Sequence, residues 1–424
     1  MRMLAWDAED GRLLLASAAV LLVLYLLFAL GDPVDDVVVF YGYSERFAAG
    51  ELPYRDFNDF YPPFAWFFIL FPGIFTDDIR IYCAIYAAIV TMVMFLTLCV
   101  VLNICRGHGV STRAATAVYM TMTVIYYSQA IRKFDIAAAL FMAVSVGLFL
   151  NGRHAWAYPA ALVGGLIKVF PLFAGLVFLA LSVRDRGAVR GTAVGLGICA
   201  AVAAAVFVPL LVLFDPAQVM NFIVGNSDRG FQQESMMATV SVILCRVAGM
   251  ETGVVWANST WDVSNPICDA LSECWTAVTV ATVLAAVAVV FVRASVRWMN
   301  GGDADRIRVA AASLTAVLIA FMLSNRVFST QYIQWLFPLI PLLLAGRTRK
   351  DAVFVSVLVA VVVLLSWSAP AIYLCQGVLL IRDLLMVYLG FLCLRYAAGG
   401  GWSFVPRRLE GLMSGRSSGH SGVR

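Results

Sequence analysis

The segment GDPVDDVVVFYGYSERFAAGELPYRDFNDFYPPFAW, residues 31–66, directly follows the first long apolar run of the chain. It belongs to a stretch that holds nine of the 26 acidic residues: Asp32, Asp35, Asp36, Glu45, Glu51, Asp56, Asp59, Asp77 and Asp78. Such crowding is unusual in a chain of which only 13% is charged. Because charge beside a bilayer is costly, it tends to mark function. We therefore expect the chemistry of this protein in the first loop.

The composition points to a membrane as the solvent for most of the chain. It is 62% hydrophobic, with a mean hydropathy of +0.87. A soluble domain of this length cannot hide so much apolar surface. Open β-structure leaves backbone groups unsatisfied in lipid, and the apolar runs are too long for barrel strands. The sequence thus predicts an all-α, polytopic integral membrane protein.

Apolar runs near twenty residues long predict about twelve transmembrane helices. They are 13–31, 81–105, 114–131, 134–151, 155–169, 170–183, 191–214, 274–292, 309–324, 328–345, 352–369 and 375–397. The proline-containing stretch 62–75 is too short to span, so we expect a helix at the membrane surface with Trp66 at headgroup level. Residues 1–397 would then form one transmembrane domain, with external loops at 32–80 and 215–273 and a disordered cytoplasmic tail at 398–424.

The distribution of basic residues predicts the orientation. With both termini in the cytoplasm, twenty of the 30 Lys and Arg residues fall on the cytoplasmic side, as the positive-inside rule requires. The net charge of +4 reflects this sidedness and does not indicate a nucleic-acid partner. Cys268 and Cys274 lie in the second external loop, where they form either a small disulfide or two separate thiols.

In this topology, polar side chains from distant segments share the external face with the first loop. They come from the junctions near residues 132, 168, 229 and 326 and include both cations and carboxylates. Arg can bind a phosphodiester through two parallel hydrogen bonds, and Lys can bind it as a point charge. A carboxylate can take a proton from a hydroxyl group. Together these groups describe sugar transfer from a lipid-phosphate carrier to an acceptor hydroxyl.

Six short motifs, in order along the chain, carry a resemblance to a known family. They are DVVVFYGYSERFAAGELPYRDF from Asp36, YPP from Tyr61, RKFD from Arg132, LIKVFP from Leu166, RGFQQES from Arg229 and STQYIQWLFP from Ser329. The chain resembles the membrane-embedded glycosyltransferases of the GT-C superfamily. It is most similar to glycosyltransferase family 87, which includes mycobacterial polyprenyl-phosphomannose-dependent mannosyltransferases. The last two helices and the tail add nothing to the resemblance.

The resemblance implies a GT-C-like fold whose amphipathic first external loop bears the catalytic acid. Its position maps onto Asp36, with Asp35 as the alternative. The acid would act as a general base on the acceptor hydroxyl, and direct displacement would invert the anomeric configuration, unlike the two-carboxylate arrangement of many glycosidases. The chain departs from many relatives at Phe60, where they have an acid before Tyr-Pro-Pro; here Asp59 lies one residue earlier.

The implied substrates are a polyprenyl-phosphate sugar, with mannose favoured, and a glycolipid or polysaccharide of the cell envelope. The enzyme would lie among the lipids of a bacterial plasma membrane and act on the extracytoplasmic side. Candidate ligands of the donor phosphate are Arg132, Lys133, Lys168, Arg229 and Arg326. Candidate substrate-binding residues are Tyr41, Tyr54, Asp56, Tyr61, Asp135, Gln232, Glu234, Gln331, Tyr332 and Trp335.

Each candidate also has a structural interpretation. Asp36 is well placed to cap the helix-like run Val37–Ala49, which ends at Gly50. A lysine in an apolar run, such as Lys168, needs a partner or the interface. The three histidines are dispersed and indicate no metal centre, although an acidic loop can hold a divalent ion. The alternative function is a transporter or flippase of a lipid-linked or anionic solute. The main feature in favour of a transporter is the charged pair Arg382-Asp383 within an apolar span. A structural ion pair explains this feature equally well.

Overall fold

The structure is a computed structural model that describes residues 7–33, 35–57, 60–225, 229–257, 260–345, 349–368 and 376–400. The helices are α1 (Ala8–Ala29), α2 (Asp35–Ala48), α3 (Ala65–Leu70), α4 (Ile79–Gly107), α5 (Thr112–Ala130), α6 (Asp135–Leu150), α7 (His154–Ile167), α8 (Leu172–Ser182), α9 (Arg186–Leu213), α10 (Pro216–Val219), α11 (Asn221–Val224), α12 (Met236–Val247), α13 (Pro266–Ser272), α14 (Trp275–Val289), α15 (Ser295–Asn300), α16 (Asp303–Ser324), α17 (Ile340–Leu343), α18 (Arg349–Ser368) and α19 (Gln376–Ala397). The predicted tail lies almost entirely outside the described residues.

The predicted all-α, polytopic membrane fold is confirmed. Seven helices in the described ranges are long and apolar enough to cross a membrane: α1, α4, α9, the continuous α14–α15, α16, α18 and α19. All twelve predicted segments fall on helical structure, but α6, α7 and α8 are short. The segment 328–345 is divided into a 3-10 helix, Thr330–Leu336, and α17. Pro338 lies between the two and Pro341 in the first turn of α17, and proline lacks the N–H that a continuous helix uses.

Ion pairs fasten the first helix to its neighbours. Asp7 caps α1 by accepting hydrogen bonds from two backbone N–H groups of the first turn, as acidic N-caps do. The buried Asp10 pairs with Arg106 at the end of α4, at 3.0 Å, and Glu9 pairs with Arg113 at the start of α5. A buried carboxylate without a partner would be strongly destabilising, so these contacts set how α1 packs on α4 and α5.

The first loop begins with an amphipathic helix, as predicted. In α2, the buried Val37, Phe40 and Ser44 recur at helical spacing on one face, whereas Phe47 is exposed. The helix ends just before Gly50, whose φ of +92° is a backbone conformation that glycine adopts without a steric penalty. The sequence therefore encodes both the buried face of α2 and its end.

The expectation for Trp66 is corrected in one respect, because this side chain packs inside the protein and is not exposed to lipid headgroups. It is 5% exposed and lies edge-on to Tyr43, Tyr54, Phe57 and Tyr61, with ring centroids 5.5–6.1 Å apart. Edge-to-face packing stabilises such clusters beyond burial alone. The aromatic residues of the loop thus fold onto α3 and its tryptophan.

The second loop contains a small antiparallel sheet that the sequence analysis missed. Strands β1 (Phe231–Gln232), β2 (Gly253–Ala257) and β3 (Thr260–Ser264) form it in the order β1-β3-β2. Asp262 on β3 accepts a hydrogen bond from the Gly230 backbone N–H at 3.1 Å. The sheet therefore holds the RGFQQES motif in place.

The two cysteines of this loop are separate thiols in the structure. Cys268 is buried, with its sulfur 3.1 Å from the Ser241 hydroxyl, whereas Cys274 is exposed. The Cys268 thiol therefore packs in the small apolar core of this loop.

We predict that Gly164→Ala destabilises the fold. A Cβ at this position of α7 would lie 2.9 Å from Pro171 Cβ and 3.0 Å from Phe141 Cβ, and overpacking of this kind costs about 1–3 kcal/mol. The matched control is Gly197→Ala in α9, where a Cβ meets nothing within 4 Å. Thermal unfolding of the purified protein in detergent should show a lower Tm for the first variant only. Equal Tm changes would contradict close packing at Gly164.

Candidate active site

A cavity of about 900 Å³ brings the dispersed polar motifs together. Its walls come from the first turn of α2, the α5–α6 and α7–α8 junctions, the segment 229–234 and the segment 325–335. All five predicted phosphate ligands line it: Arg132, Lys133, Lys168, Arg229 and Arg326. So do seven of the predicted substrate-binding residues: Tyr61, Asp135, Gln232, Glu234, Gln331, Tyr332 and Trp335. With Asp36, the cavity sets five cations against three carboxylates, and this excess of positive charge suits an anionic ligand.

Asp36 faces this cavity and forms an ion pair with Lys133. Both side chains keep part of their surface exposed, so they can reach a ligand. One turn further along α2, Phe40 packs on Tyr61 and Phe134, with ring centroids 5.9 and 5.6 Å away. The apolar face of α2 thus fixes the position of a carboxylate on its cavity side.

Asp135 is fully buried at the start of α6. One carboxylate oxygen accepts a hydrogen bond from Trp335 Nε1 at 2.9 Å, and the other lies 3.5 Å from Lys168 Nζ. Lys168 thus has the partner that the sequence analysis required. Lys168 also faces the cavity. The ion pair with Asp135 therefore positions the Lys168 ammonium group where it can contact a bound ligand.

The segments 229–235 and 325–332 are bonded to each other. Gln232 Nε2 donates to the Ser329 hydroxyl at 2.6 Å, and the Gln232 backbone N–H donates to the Arg326 carbonyl at 3.0 Å. Arg326 returns a hydrogen bond to the Arg229 carbonyl at 3.0 Å, while the Arg229 guanidinium lies over the Phe60 ring. Two motifs about a hundred residues apart therefore form one wall.

Arg382 on α19 supports that wall from behind. It is buried, pairs with Asp383 at 2.7 Å and donates to the Glu234 carbonyl at 2.6 Å. The Thr330 backbone N–H donates to a Glu234 carboxylate oxygen at 3.0 Å. Arg382 and Asp383 thus make a structural ion pair in the bundle that positions Glu234 beside the cavity.

Burial raises the pKa of the Glu234 carboxyl, and the nearby Arg382 guanidinium acts in the opposite direction. Glu234 reaches the cavity but is enclosed by protein on its other sides. The protonated form is therefore favoured more in the folded chain than in the unfolded chain.

Three predicted substrate-binding residues contact the first loop itself and do not line the cavity. The Tyr41 hydroxyl donates to the Asp77 carbonyl. Tyr54, at a positive φ of 68°, donates its hydroxyl to the Tyr61 carbonyl at 2.9 Å. Asp56 accepts from the Leu52 backbone N–H at 2.8 Å. These contacts fold the loop and leave the three side chains away from the cavity.

Asp35 begins α2 next to Asp36, and its side chain lies outside the described part of the chain; Asp59 lies outside it altogether. In the described ranges, no three His, Cys, Asp or Glu side chains are grouped so that they could hold a metal ion.

Several cavity residues were not predicted from the sequence because they are apolar or neutral. Phe170 stacks on Trp335 with ring centroids 4.2 Å apart. Trp256 and Trp261 pair across β2 and β3 at the rim of the cavity, and Gln129 comes from the end of α5. Phe170 lies within the LIKVFP motif, so its closeness to Lys168 in sequence could have identified it as a cavity residue. The two tryptophans lie outside every motif.

A family model for glycosyltransferase family 87 matches residues 60–325, which is more than half of the chain. The chain belongs to glycosyltransferase family 87. The match begins after Asp36 and ends before the STQYIQWLFP motif, so these two parts of the cavity lie outside it. No curated protein sequence matches the chain significantly.

The fold is similar to the crystal structure of ArnT from Cupriavidus metallidurans, which was solved with undecaprenyl phosphate bound. The TM-score is 0.51 at 14% sequence identity, and the alignment covers 96% of this chain and 79% of ArnT. The family match and this similarity of fold together show that the chain is a GT-C membrane glycosyltransferase. The transporter alternative loses its main support, because Arg382 and Asp383 have a structural role.

We predict that Glu234→Gln flattens the pH dependence of stability. Because the folded state binds this proton more tightly than the unfolded state, the wild type should lose stability as pH rises from about 4.5 through the raised pKa. Glutamine cannot titrate, so the variant should lack that loss. Thermal unfolding in detergent across this pH range tests it.

Asp56→Asn is the control, since the hydrogen bond from Arg55 lowers the pKa of Asp56. Its contribution is lost only as pH falls, so this variant should keep the wild-type slope above pH 4.5. Parallel curves for wild type and Glu234→Gln would contradict the raised pKa.

Proposed function

We propose that this glycosyltransferase moves a sugar from a polyprenyl-phosphate carrier to a hydroxyl group of a cell-envelope glycolipid or polysaccharide. The observation that carries the proposal is a carboxylate, Asp36, on a cavity that also presents five cations. The fold shared with ArnT, a protein solved with undecaprenyl phosphate, supports a polyprenyl phosphate as the carrier. We favour mannose as the sugar on the motif resemblance described above.

The cations suit the charge that develops during transfer. A sugar linked through a phosphodiester carries one negative charge, and the leaving phosphate carries a second once the sugar–oxygen bond breaks. Fixed cations that face the leaving oxygen stabilise this change more than they stabilise the bound donor. Lys168, held by Asp135, and Arg326, held by the Arg229 carbonyl, are preorganised for this role. Arg132, Lys133 and Arg229 complete the phosphate site.

Asp36 would act as the general base. The acceptor oxygen attacks the anomeric carbon while its proton passes to the Asp36 carboxylate. The bond between the anomeric carbon and the phosphate oxygen breaks, and both electrons leave with the phosphate. The products are a glycoside of inverted configuration, a polyprenyl phosphate and a protonated Asp36, which then releases its proton to water.

The remaining polar lining would orient the sugars. Gln232 and Gln331 offer amide groups, Glu234 a carboxyl group and Tyr61 and Tyr332 hydroxyl groups along the cavity. Trp335 lies flat against Tyr332, with centroids 4.0 Å apart. Trp335 also stacks on Phe170 and is only 3% exposed, so it supports the Tyr332 ring and does not itself offer a free face to a sugar.

We predict that Asp36→Asn lowers kcat by roughly 10²- to 10⁴-fold, the usual contribution of a general base, with donor binding retained. Asparagine keeps the shape of the side chain but cannot accept the proton. The measurement is transfer of labelled sugar in membranes from a panel of polyprenyl-phosphate sugars at matched expression.

Asp32→Asn is the control for that experiment, because Asp32 is an exposed acid of the same loop that pairs with Arg80 at 3.3 Å. It should keep wild-type activity. Full activity of Asp36→Asn would move the base to Asp35 or another acid of the loop. Absence of transfer by the wild type from every donor would count against the polyprenyl-phosphate carrier.

We further propose that the cavity opens on the extracytoplasmic side, on the strength of the positive-inside distribution. Cys274, which directly follows the loop 215–273, is the exposed cysteine among the eight described. In a Cys375→Ser background, we predict that a membrane-impermeant maleimide labels Cys274 in intact cells, and that adding Cys274→Ser removes the label. Labelling that appears only after permeabilisation would reverse the orientation.

A further inference from the structure

Phe60 belongs to the first loop, but its ring contacts the second loop. The Arg229 guanidinium lies over the face of this ring, 4.5 Å from the centroid. A Cβ at Gly225, directly after α11, would lie 2.8 Å from Phe60 Cε1, so the ring also packs against that backbone. Phe60 and Arg229 both line the cavity. Phe60 therefore joins the two loops at the cavity wall.

The backbone around Arg229 is held by hydrogen bonds. Its carbonyl accepts a hydrogen bond from Arg326 at 3.0 Å, and the Gly230 N–H donates to Asp262 at 3.1 Å. These bonds fix the point at which the arginine leaves the wall, but they do not fix the direction of its side chain. An arginine side chain loses much rotamer entropy when it is ordered. The Phe60 ring restricts this freedom, because the face of an aromatic ring attracts a cation.

The residue after Phe60 fixes the ring relative to α2. The Tyr61 ring lies edge-on to Phe40, with centroids 5.9 Å apart, and Phe40 is buried one turn after Asp36 on the same helix. Consecutive residues of the first loop thus contact α2 on one side and Arg229 on the other. The position of the guanidinium is therefore linked to the helix that bears the proposed general base.

A neutral ring can position an arginine without cancelling its charge. A carboxylate in the place of Phe60 would form an ion pair with the guanidinium and offset one of the five cations of the cavity. We propose that Phe60 is a positioning residue, which holds the Arg229 guanidinium towards the cavity so that it binds the phosphate of the donor. This proposal rests on the proposed function, because it takes Arg229 as a phosphate ligand.

Binding of geranyl phosphate to the purified full-length protein tests the proposal without sugar transfer. Titration calorimetry in detergent gives the Kd for the wild type, Phe60→Leu, Arg229→Gln and the double variant. We expect Phe60→Leu to raise the Kd several-fold and Arg229→Gln to raise it further. The double variant should match Arg229→Gln alone, because residues that act through one another are not additive.

Phe75→Leu is the matched control for loss of a phenylalanine ring. Phe75 belongs to the same loop, is 62% exposed and contacts Phe71 with ring centroids 5.1 Å apart, but it does not line the cavity. This variant should bind geranyl phosphate as tightly as the wild type.

Fluorinated phenylalanines at position 60 separate the attraction between ring and cation from packing. Each fluorine withdraws electron density from the ring face and so weakens its attraction for a cation, with little change of shape. The Kd should rise stepwise from phenylalanine to the monofluoro, difluoro and trifluoro residues, and it should stay constant when Arg229→Gln is also present. A flat series in the chain that retains Arg229 would overturn the proposal.

The other outcomes distinguish this proposal from the proposed function. Additive effects of Phe60→Leu and Arg229→Gln, or an unchanged Kd in either variant, would refute the positioning role even in a protein that transfers sugar. The expected pattern of Kd values, in a wild type that transfers sugar from no carrier, would uphold the positioning role and refute the proposed function. A wild type that does not bind geranyl phosphate would count against both.

Discussion

The buried carboxylate of Asp135 is the interaction on which the cavity depends. It accepts a hydrogen bond from Trp335 and pairs with Lys168, so it joins the start of α6, the α7–α8 junction and the 3-10 helix of residues 330–336. An uncompensated carboxylate in an apolar bundle would cost several kcal/mol. These three segments are therefore held in one arrangement, and the aromatic stack of Trp335 and Phe170 follows from it.

The cavity is built where helices end. Much of its charged lining comes from the junctions at 131–134 and 168–171 and from the segment 325–329, none of which is helical. Non-helical backbone within a membrane is tolerated where it is buried in protein or lines a cavity. Such junctions also direct side chains and backbone groups inward, as when the Leu166 carbonyl at the end of α7 accepts a hydrogen bond from the Phe64 backbone N–H at 2.8 Å. The breaks that shorten α7 and α8 are thus also what creates the site.

Charge is arranged in two ways in this molecule. Arg382 and Asp383 neutralise each other inside the bundle, and the hydrogen bond from Arg382 to the Glu234 carbonyl supports the cavity wall. Lys133, Lys168 and Asp36 are paired too, but they remain open to the cavity. A phosphate in the cavity can therefore interact with Lys133 and Lys168 without desolvating a new charge. Arg382 and Asp383 are out of its reach. This division explains why deep charge here does not indicate a transport pathway.

The sequence by itself determined the membrane fold, because apolar runs near twenty residues have few alternatives in lipid. It also determined the amphipathic α2 with its end at Gly50, and most of the polar lining, since charge is rare enough here to stand out. It did not determine that Trp66 is buried, that residues 330–336 form a 3-10 helix or that Tyr54 and Asp56 fold the loop. Those outcomes depend on partners distant in sequence, as does the pairing of Asp36 with Lys133. Only the tertiary structure decides which distant side chains meet, because apolar helices can pack in many ways that bury similar area, and specific polar contacts choose among them.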